Sequence, residues 1–352
     1  MAIYDFRSDT VTLPTAEMMT AIANAPLGDS ARGDDPTVNE LERLACELTG
    51  KADALFLPSG AMANLSAVIA HGCRGGEVIV EEATHIYNSE GGGLAVVAGA
   101  IPRPLTGRYG ILDPDDVKSA IRGTADSAIA PTRLICLENT HNAAGGSVIP
   151  IDSLAAIGGV AREAGLPVHL DGARLFNASA FLDVPVLEIC RHVDSVWFAL
   201  CKGLGGPIGA VLAGDESFMS KARRAARMLG GGMRQAGLIA APAIVALQDP
   251  YTIHKGDHTR AQQLARGLAD IDETLVDVDR VQTNIVNCFV DHFAADAGEI
   301  NRALRARGVL ANSKRTKIRF VTHYHIDDAA VEAAIYHFDE VIKSLRKVAQ
   351  AS

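Results

Sequence analysis

The sequence predicts an α/β fold: a mostly parallel, seven-stranded sheet between helices, followed by a small α+β domain at the C-terminus. Between residues 54 and 213, short apolar runs of strand length alternate with segments of helical periodicity, as in folds built from β–α–β units. Most of these runs are continuously apolar, which is typical of strands buried on both faces. After residue 250 the pattern changes to a long polar helix followed by shorter, mixed elements.

Each element follows from local signals. Two helices, 15–23 and 36–50, are predicted in an N-terminal arm that prolines interrupt. The seven strands are predicted at 54–57, 77–80, 101–105, 133–138, 167–171, 195–200 and 208–213. Connecting helices are predicted at 61–71, from Tyr87, after the Asp113 cap, and at 151–165, 216–229 and 233–247. The C-terminal part should contain strands at 285–290 and 317–322, and helices after 250, at 298–307 and from Asp327. We therefore predict a large domain with its arm, residues 1–250, and a small domain, residues 251–352.

Composition excludes several classes of function. The 352 residues include 33 Lys and Arg against 42 Asp and Glu, a net charge of −9, so binding to nucleic acid or to an anionic membrane is not expected. The six cysteines are scattered without zinc or paired spacing, which favours free thiols in a reducing compartment and no metal site. No apolar segment resembles a signal peptide or a bilayer span. A cytoplasmic enzyme is expected.

The chemistry is predicted to centre on Lys202. An apolar run, 197–200, ends in Cys201 and Lys202, and glycines follow at once. A lysine at the end of a buried strand can form a Schiff base, because burial favours its neutral amine. Asp171 ends another apolar strand thirty-one residues upstream, a spacing of one crossover. A lysine for the aldehyde and an aspartate for the ring nitrogen are what a pyridoxal phosphate site requires. A solvated lysine and an Asp171–Arg174 ion pair are the alternatives.

Other polar groups also follow apolar strands, where α/β proteins bind ligands. The turn Ser59-Gly60-Ala61 opens a helix whose N-terminus could hold a phosphate. His85 could stack on a flat cofactor ring or merely cap a helix. His141 could act as a general base. Arg319, inside an apolar strand, needs a carboxylate partner, either from a substrate or from an internal salt bridge.

Several segments carry a resemblance to a known family, in this order along the chain: Phe6-Arg7-Ser8-Asp9-Thr10-Val11-Thr12, Gly33-Asp34-Asp35-Pro36-Thr37-Val38-Asn39, Leu57-Pro58-Ser59-Gly60, Glu138-Asn139-Thr140-His141-Asn142, His169-Leu170-Asp171-Gly172-Ala173-Arg174, Lys202-Gly203-Leu204-Gly205, Gly230-Gly231-Gly232-Met233-Arg234-Gln235 and Arg319-Phe320-Val321-Thr322-His323. Together they resemble the low-specificity L-threonine aldolases, pyridoxal-phosphate enzymes of fold type I in the beta-eliminating lyase superfamily. The resemblance covers essentially the whole chain.

The resemblance implies a role for each matching residue. Lys202 would bind the cofactor aldehyde, Asp171 the ring nitrogen and Arg174 the ring hydroxyl, while His85 stacks on the ring. Ser59, Gly60 and Ala61 would hold the phosphate, helped by Arg234 of a second subunit. Ser8 and Arg319 would bind the substrate carboxylate, and His141 with His85 would lie where the β-hydroxyl proton is removed. The implied reaction is retro-aldol cleavage of L-threonine or L-allo-threonine to glycine and an aldehyde, in a homotetramer with active sites at subunit interfaces.

Four positions depart from the family pattern, one of them Ile86, which replaces a usual polar residue after His85. Cys201 replaces a usual Ser and Ala61 a usual Thr, so two hydroxyl groups near the phosphate are lost. Arg32 replaces a usual Tyr near the substrate. These changes leave open β-elimination or racemisation on the same fold. A relative without turnover is disfavoured by the presence of Lys202, Asp171 and Arg319.

Overall fold

A seven-stranded sheet forms the centre of the computed structural model, which describes residues 2–293 and 295–351. In chain order the strands are β1 (Tyr4–Asp5), β2 (Asp53–Leu57), β3 (Glu77–Glu81), β4 (Ile101–Leu105), β5 (Thr132–Glu138), β6 (Val168–Asp171), β7 (Ser195–Ala199), β8 (Ala210–Gly214), β9 (Ile285–Phe289), β10 (Val309–Leu310), β11 (Asn312–Lys314) and β12 (Lys317–Val321). The helices are α1 (Ala16–Asn24), α2 (Pro36–Thr49), α3 (Gly60–Ala70), α4 (His85–Asn88), α5 (Gly93–Val96), α6 (Pro114–Ala120), α7 (Ile151–Glu163), α8 (Leu175–Leu182), α9 (Val186–Cys190), α10 (Glu216–Met228), α11 (Gly237–Ala246), α12 (Pro250–Ile271), α13 (Ala297–Arg305) and α14 (Asp328–Ala351).

The strand order of the central sheet is β2-β8-β7-β6-β5-β3-β4. β8 is antiparallel to both of its neighbours, and the other adjacent pairs are parallel. Every residue of β3, β6, β7 and β8 is buried, which explains why apolar residues make up most of these four strands. The predicted mostly parallel α/β fold is therefore confirmed.

Alternate residues of the strands pack into separate cores on the two faces of the sheet. On β7, Phe198 belongs to one core and Trp197 to the other. On β3, Ile79 and Val78 are divided in the same way. This alternation is the two-residue period of a strand. Helices such as α2, α7 and α11 cover one face, and α3 and α10 cover the other.

One predicted helix is broken in the structure. The segment expected to be helical from Tyr87 contains two single-turn helices, α4 and α5, with Gly91 and Gly92 between them. Both glycines have positive φ, 63° and 73°, a conformation that favours glycine and cannot continue an α-helix. The break leaves His85 at the start of α4, beside the carboxyl end of β3.

A second core is built mainly from the C-terminal part of the chain. The antiparallel sheet β11-β12-β9 packs with α12, α13 and α14. The division at residue 250 stays a prediction, but the start of the N-terminal arm lies with this second core. β1 pairs with β10, and Phe6 is fully buried against Phe320. Among the described residues, no helix is both long and apolar enough to cross a lipid bilayer.

Candidate active site

A cavity of about 300 Å³ lies at the carboxyl ends of β5, β6 and β7. Strand ends on one edge of a parallel sheet converge, so residues far apart in sequence meet there. Most of the predicted site residues line this cavity: Ser8, Gly60, Ala61, His85, Asp171, Arg174, Lys202 and Arg319. Glu90, Glu138, Asn142, Trp197 and Cys201 complete much of its wall.

Lys202 lies just after β7, where its side chain reaches the cavity. Burial lowers the pKa of Lys202, and the nearby Arg174 guanidinium lowers it further. Both effects favour the neutral amine, which is the nucleophilic form. The hydroxyl of Thr12 donates to the carbonyl oxygen of Lys202 at 3.0 Å and ties this loop to the N-terminal arm. The environment suits Schiff-base formation better than a solvated lysine.

Asp171 is a buried carboxylate without a cationic partner. It accepts hydrogen bonds from the Asn64 amide at 2.9 Å and from the backbone N–H of Ala173 at 3.1 Å. Within the described residues, no cationic side chain lies within 4 Å of it. Burial raises the pKa of Asp171 to about 7, and the carboxylates of Glu138 and Glu90 add to the effect. A protonated ring nitrogen would supply the missing positive charge.

Arg174 has a different partner from the one that sequence proximity suggested. Its Nε and Nη2 atoms donate to the two carboxylate oxygens of Asp9 at 2.7 and 2.8 Å. Its Nη1 donates to Asn142 Oδ1 at 3.1 Å. The alternative Asp171–Arg174 ion pair is therefore absent from this structure. Arg174 stays fixed beside Asp171 while that carboxylate remains available.

Arg319 carries a half-buried cation that forms no ion pair with a carboxylate of the described residues. Its Nη2 donates to Asn142 Oδ1 at 2.8 Å, whereas its buried Nε has no hydrogen-bond partner in the described part of the chain. No carboxylate of those residues lies within 4 Å, which argues against the internal salt bridge. Burial and the neighbouring Arg174 lower the pKa of Arg319 to about 10. Ser8, on the same cavity, caps the turn that begins at Asp9.

His85 is held by two acidic side chains. Its Nδ1 lies 2.9 Å from Glu90 Oε1, and its backbone N–H donates to Glu138 Oε2 at 2.5 Å. The hydrogen bond with Glu90 raises the pKa of His85. Glu90 also accepts from the Asn64 amide at 2.7 Å, so one asparagine positions both Glu90 and Asp171. The imidazole faces the cavity and does not serve merely as a helix cap.

The phosphate-binding segment predicted at residues 59–61 forms the start of α3. Ser59 caps the helix, accepting from the N–H of Met62 at 3.3 Å, and Gly60 and Ala61 line the cavity. A Cβ atom on Gly60 would lie 2.2 Å from the Trp197 ring, so only glycine allows this approach. The unpaired N–H groups of a helix N-terminus bind anions.

Besides Ser59, three predicted residues do not line the cavity. His141 is fully buried, with Nε2 2.9 Å from Glu81 Oε2 and Nδ1 accepting from the N–H of Ala144. Both ring nitrogens are engaged by groups that do not line the cavity, and a role for His141 at the reacting carbon stays a prediction. Arg32 and Arg234 lie at the surface, within 3.5 and 3.1 Å of Asp29. The predicted role of Arg234 depends on a second subunit, and the position of Arg32 near the substrate stays a prediction.

Sequence reasoning missed the residues that position the others: Asp9, Asn64, Glu90 and Asn142. Asp9 and Asn142 lie within segments that had been singled out, but residue type does not reveal a partner 165 or 32 positions away. Asn64, in the middle of the apolar helix α3, was the available signal, because a buried amide needs hydrogen-bond partners.

Comparison with known proteins identifies the family of this chain. The sequence profile of the beta-eliminating lyase family matches residues 5–291. The chain belongs to this family. Over 350 residues it is 41% identical to a probable low-specificity L-threonine aldolase 2 of Arabidopsis thaliana, covering 97% of each chain. It is 40% identical to a low specificity L-threonine aldolase of Escherichia coli, covering 95% of this chain and 98% of that one. A threonine aldolase structure from Leishmania major has a TM-score of 0.81 at 20% identity, covering 97% of this chain and 99% of that one, and shows the same fold.

This member of the beta-eliminating lyases uses pyridoxal 5′-phosphate, and its residues fit that cofactor. The buried, unpaired carboxylate of Asp171 matches a cationic ring nitrogen. The N-terminal turn of α3, whose Gly60 and Ala61 line the cavity, suits a phosphate. The ligand atoms of His85, Glu90 and Asp171 lie within 4.8 Å of one another, a spacing that would also admit a metal ion. The resemblance assigns His85 and Asp171 to the cofactor ring, and the expectation of no metal site stays our prediction.

Proposed function

We propose that this lyase cleaves the Cα–Cβ bond of L-threonine, L-allo-threonine or a related β-hydroxy-α-amino acid, producing glycine and an aldehyde. The decisive observation is that Lys202 and Arg319 line the same cavity. An α-amino acid offers an amine and a carboxylate. Lys202 marks where the amine reacts, and the unpaired guanidinium of Arg319 provides a site for the carboxylate. The names of the relatives from Arabidopsis and Escherichia coli agree with this reaction.

The chain's own residues would hold and orient the reactants. Lys202 would anchor the cofactor aldehyde, and Asp171, fixed by Asn64, would keep a proton on the ring nitrogen. Arg174 would bind the ring hydroxyl, and the start of α3 the phosphate. When bound, pyridoxal phosphate accepts the electron pair that bond cleavage leaves on Cα. Ser8 and Arg319 would bind the substrate carboxylate.

His85 is the base that the geometry favours for the β-hydroxyl proton. A proton on Nδ1, shared with Glu90, leaves Nε2 as the basic nitrogen. The Glu138 carboxylate accepts from the backbone N–H of His85 and thereby helps to position the imidazole ring. His85 would also stack on the cofactor ring. His141, which contacts the Glu81 carboxylate, would stabilise this region without contacting the substrate.

β-Elimination or racemisation of a related amino acid is the alternative. The family is named for beta-eliminating lyases, and the same groups would serve either reaction. A pyridoxal enzyme breaks the bond that it holds perpendicular to the ring, so small changes in substrate orientation select the product. Cys201 and Arg32 are the positions where this chain differs from the pattern that the resemblance implies.

Assembly as a homotetramer, with active sites at subunit interfaces, would complete the site. Arg234 lies outside its own cavity, and its side chain is 61% exposed, so it could reach the cofactor phosphate of another subunit. Leu27, Met228 and Leu238, on neighbouring elements, leave large apolar side chains exposed. A subunit covering this surface would bury them, and it would bring Arg32 near a substrate. A strictly monomeric protein in sedimentation analysis would refute the role given to Arg234.

We further propose that the enzyme acts in the cytoplasm. All six cysteines are free thiols, and four are buried, which agrees with a reducing compartment. Fractionation of cells that express the protein would test this. Recovery in a membrane or secreted fraction would contradict it.

Product analysis tests the reaction. Glycine and acetaldehyde from L-threonine or L-allo-threonine support retro-aldol cleavage, whereas ammonia and a 2-oxo acid indicate β-elimination. Borohydride reduction of the holoenzyme should trap the cofactor on Lys202. The Lys202→Ala variant should give no such adduct. Trapping at another lysine would refute the assignment.

A further inference from the structure

A second cavity, of about 540 Å³, adjoins the active-site cavity. The two share His85, Asn142 and Arg319 in their walls. Arg319 therefore stands at the boundary between them. The remaining wall of this outer chamber comes largely from the end of β3 and from the hairpin formed by β11 and β12.

One face of the hairpin is directed to the chamber. Lys314 pairs with Lys317, and Asn312 pairs with Arg319, so these four residues alternate along the two strands and share a face. All four line the chamber. Between them, Ile318 is buried in the second core, whereas Ser313 is exposed and also borders the chamber. Packing of the apolar face therefore determines which face meets the chamber.

This face carries an unusual concentration of positive charge. Lys314 and Lys317 lie directly opposite each other, and like charges in that arrangement destabilise a strand pair. No carboxylate of the described residues lies within 4 Å of either ammonium group. Lys317 donates only to the carbonyl oxygen of Ala143, at 3.4 Å. The one carboxylate among the chamber's lining residues is Glu82.

The repulsion between these positive charges also lowers the pKa of Lys317. Burial lowers the pKa of Lys317, and the charges of Arg319 and Lys314 lower it further. The protein as a whole carries a net charge of −9, so the charge of this cluster is opposite in sign to the net charge of the protein. A bound anion would relieve the repulsion between the lysines, and it would meet donors already facing the chamber.

We propose that the outer chamber binds a carboxylate on the β-substituent of the substrate, so that the enzyme prefers acidic β-hydroxy-α-amino acids to threonine. This inference rests on the proposed aldol cleavage. Arg319 would hold the α-carboxylate and the two lysines the distal one. Lys317 and Arg319 are two residues apart on β12, which separates their Cα atoms by about 7 Å. This distance between the two carboxylate sites suits a substituent of up to about three carbons beyond Cβ.

The reaction balances without an oxidant or reductant. With 3-hydroxyaspartate, the β-hydroxyl loses its proton to the base as the Cα–Cβ bond breaks, and Cβ leaves as the aldehyde carbon of glyoxylate. The electron pair of the broken bond remains on Cα, which takes up a proton to become the methylene carbon of glycine. The distal carboxylate is unchanged, so the lysines act only in binding.

The test compares 3-hydroxyaspartate, in both configurations at Cβ, with L-threonine, using the holoenzyme. The measured quantity is the ratio of the two kcat/KM values. In a Lys314→Gln/Lys317→Gln variant this ratio should fall about tenfold, since a hydrogen bond to a charged group contributes about that factor. The loss should appear mainly in KM. Lys317→Arg, which keeps the charge, should retain most of the preference.

A matched control removes two charges elsewhere. Lys118 and Lys343 are exposed and paired with Glu163 and Asp339, so Lys118→Gln/Lys343→Gln should leave the ratio unchanged. Raising the salt concentration should lower the ratio in the wild type, because salt screens exposed charges. A ratio that does not change in the Lys314→Gln/Lys317→Gln variant would refute the chamber's role. Failure to release glycine from either substrate would instead refute the proposed reaction.

Discussion

Replacing Asp9 with Asn should destabilise the enzyme more than its position in an N-terminal arm suggests. Asp9 is fully buried and accepts two hydrogen bonds from Arg174 and a third from Asn284, at 3.2 Å. Asparagine has similar size but no charge, and its NH₂ group cannot accept from the guanidinium. Arg174, 5% exposed, would remain as an unpaired buried cation. Removing one member of a buried ion pair costs about 3–5 kcal/mol, and we expect about 3 kcal/mol because one oxygen remains.

The matched control is Asp5→Asn in the same arm. Asp5 pairs with Arg7, whose side chain is 42% exposed, and such a pair is worth about 1 kcal/mol or less. For 352 residues the entropy of unfolding is about 740 cal/mol/K, at about 2.1 cal/mol/K per residue. Asp9→Asn should therefore lower Tm by about 4 °C and Asp5→Asn by about 1 °C. Thermal denaturation followed by circular dichroism measures both. Equal shifts would refute the argument from burial.

Three further predictions concern the cavity. Glu90 raises the pKa of His85, and the proposed role of His85 as the base requires an unprotonated Nε2. Glu90→Gln should therefore move the acidic limb of the kcat/KM profile to lower pH, and an unmoved limb would argue against His85 as the base. Cys201→Ser should tighten cofactor binding about fivefold, because a hydroxyl donates better than a thiol, as measured by the Kd from absorbance titration. Gly60→Ala should weaken cofactor binding at least about tenfold through the clash with the indole ring, whereas Gly159→Ala, with open space around it, should not. Equal effects would contradict the clash.

Much of the fold could be predicted from the sequence because strands and helix starts are indicated by residues close together in the chain. A strand buried on both faces has to be apolar along its length, and a helix start needs a cap such as Asp113, which accepts from the N–H of Asp115. Lys202 and Asp171 were identifiable for the same reason. Each is a polar residue at the end of an apolar strand, where the topology of an α/β sheet brings strand ends together.

Which side chains meet was decided by the tertiary structure. Arg174 pairs with Asp9, 165 residues away, although Asp171 is only three residues from it. His141 contacts Glu81, 60 residues away, whereas His85 lines the cavity. The two lysines of the β11–β12 hairpin reach the chamber beside the active site because α12 of the second core packs against α8 of the first. Side-chain partners depend on strand order and helix packing, which set distances between residues that no local pattern relates. The sequence by itself determined the strands and the reactive residues at their ends, and the fold determined their partners and hence their charge states.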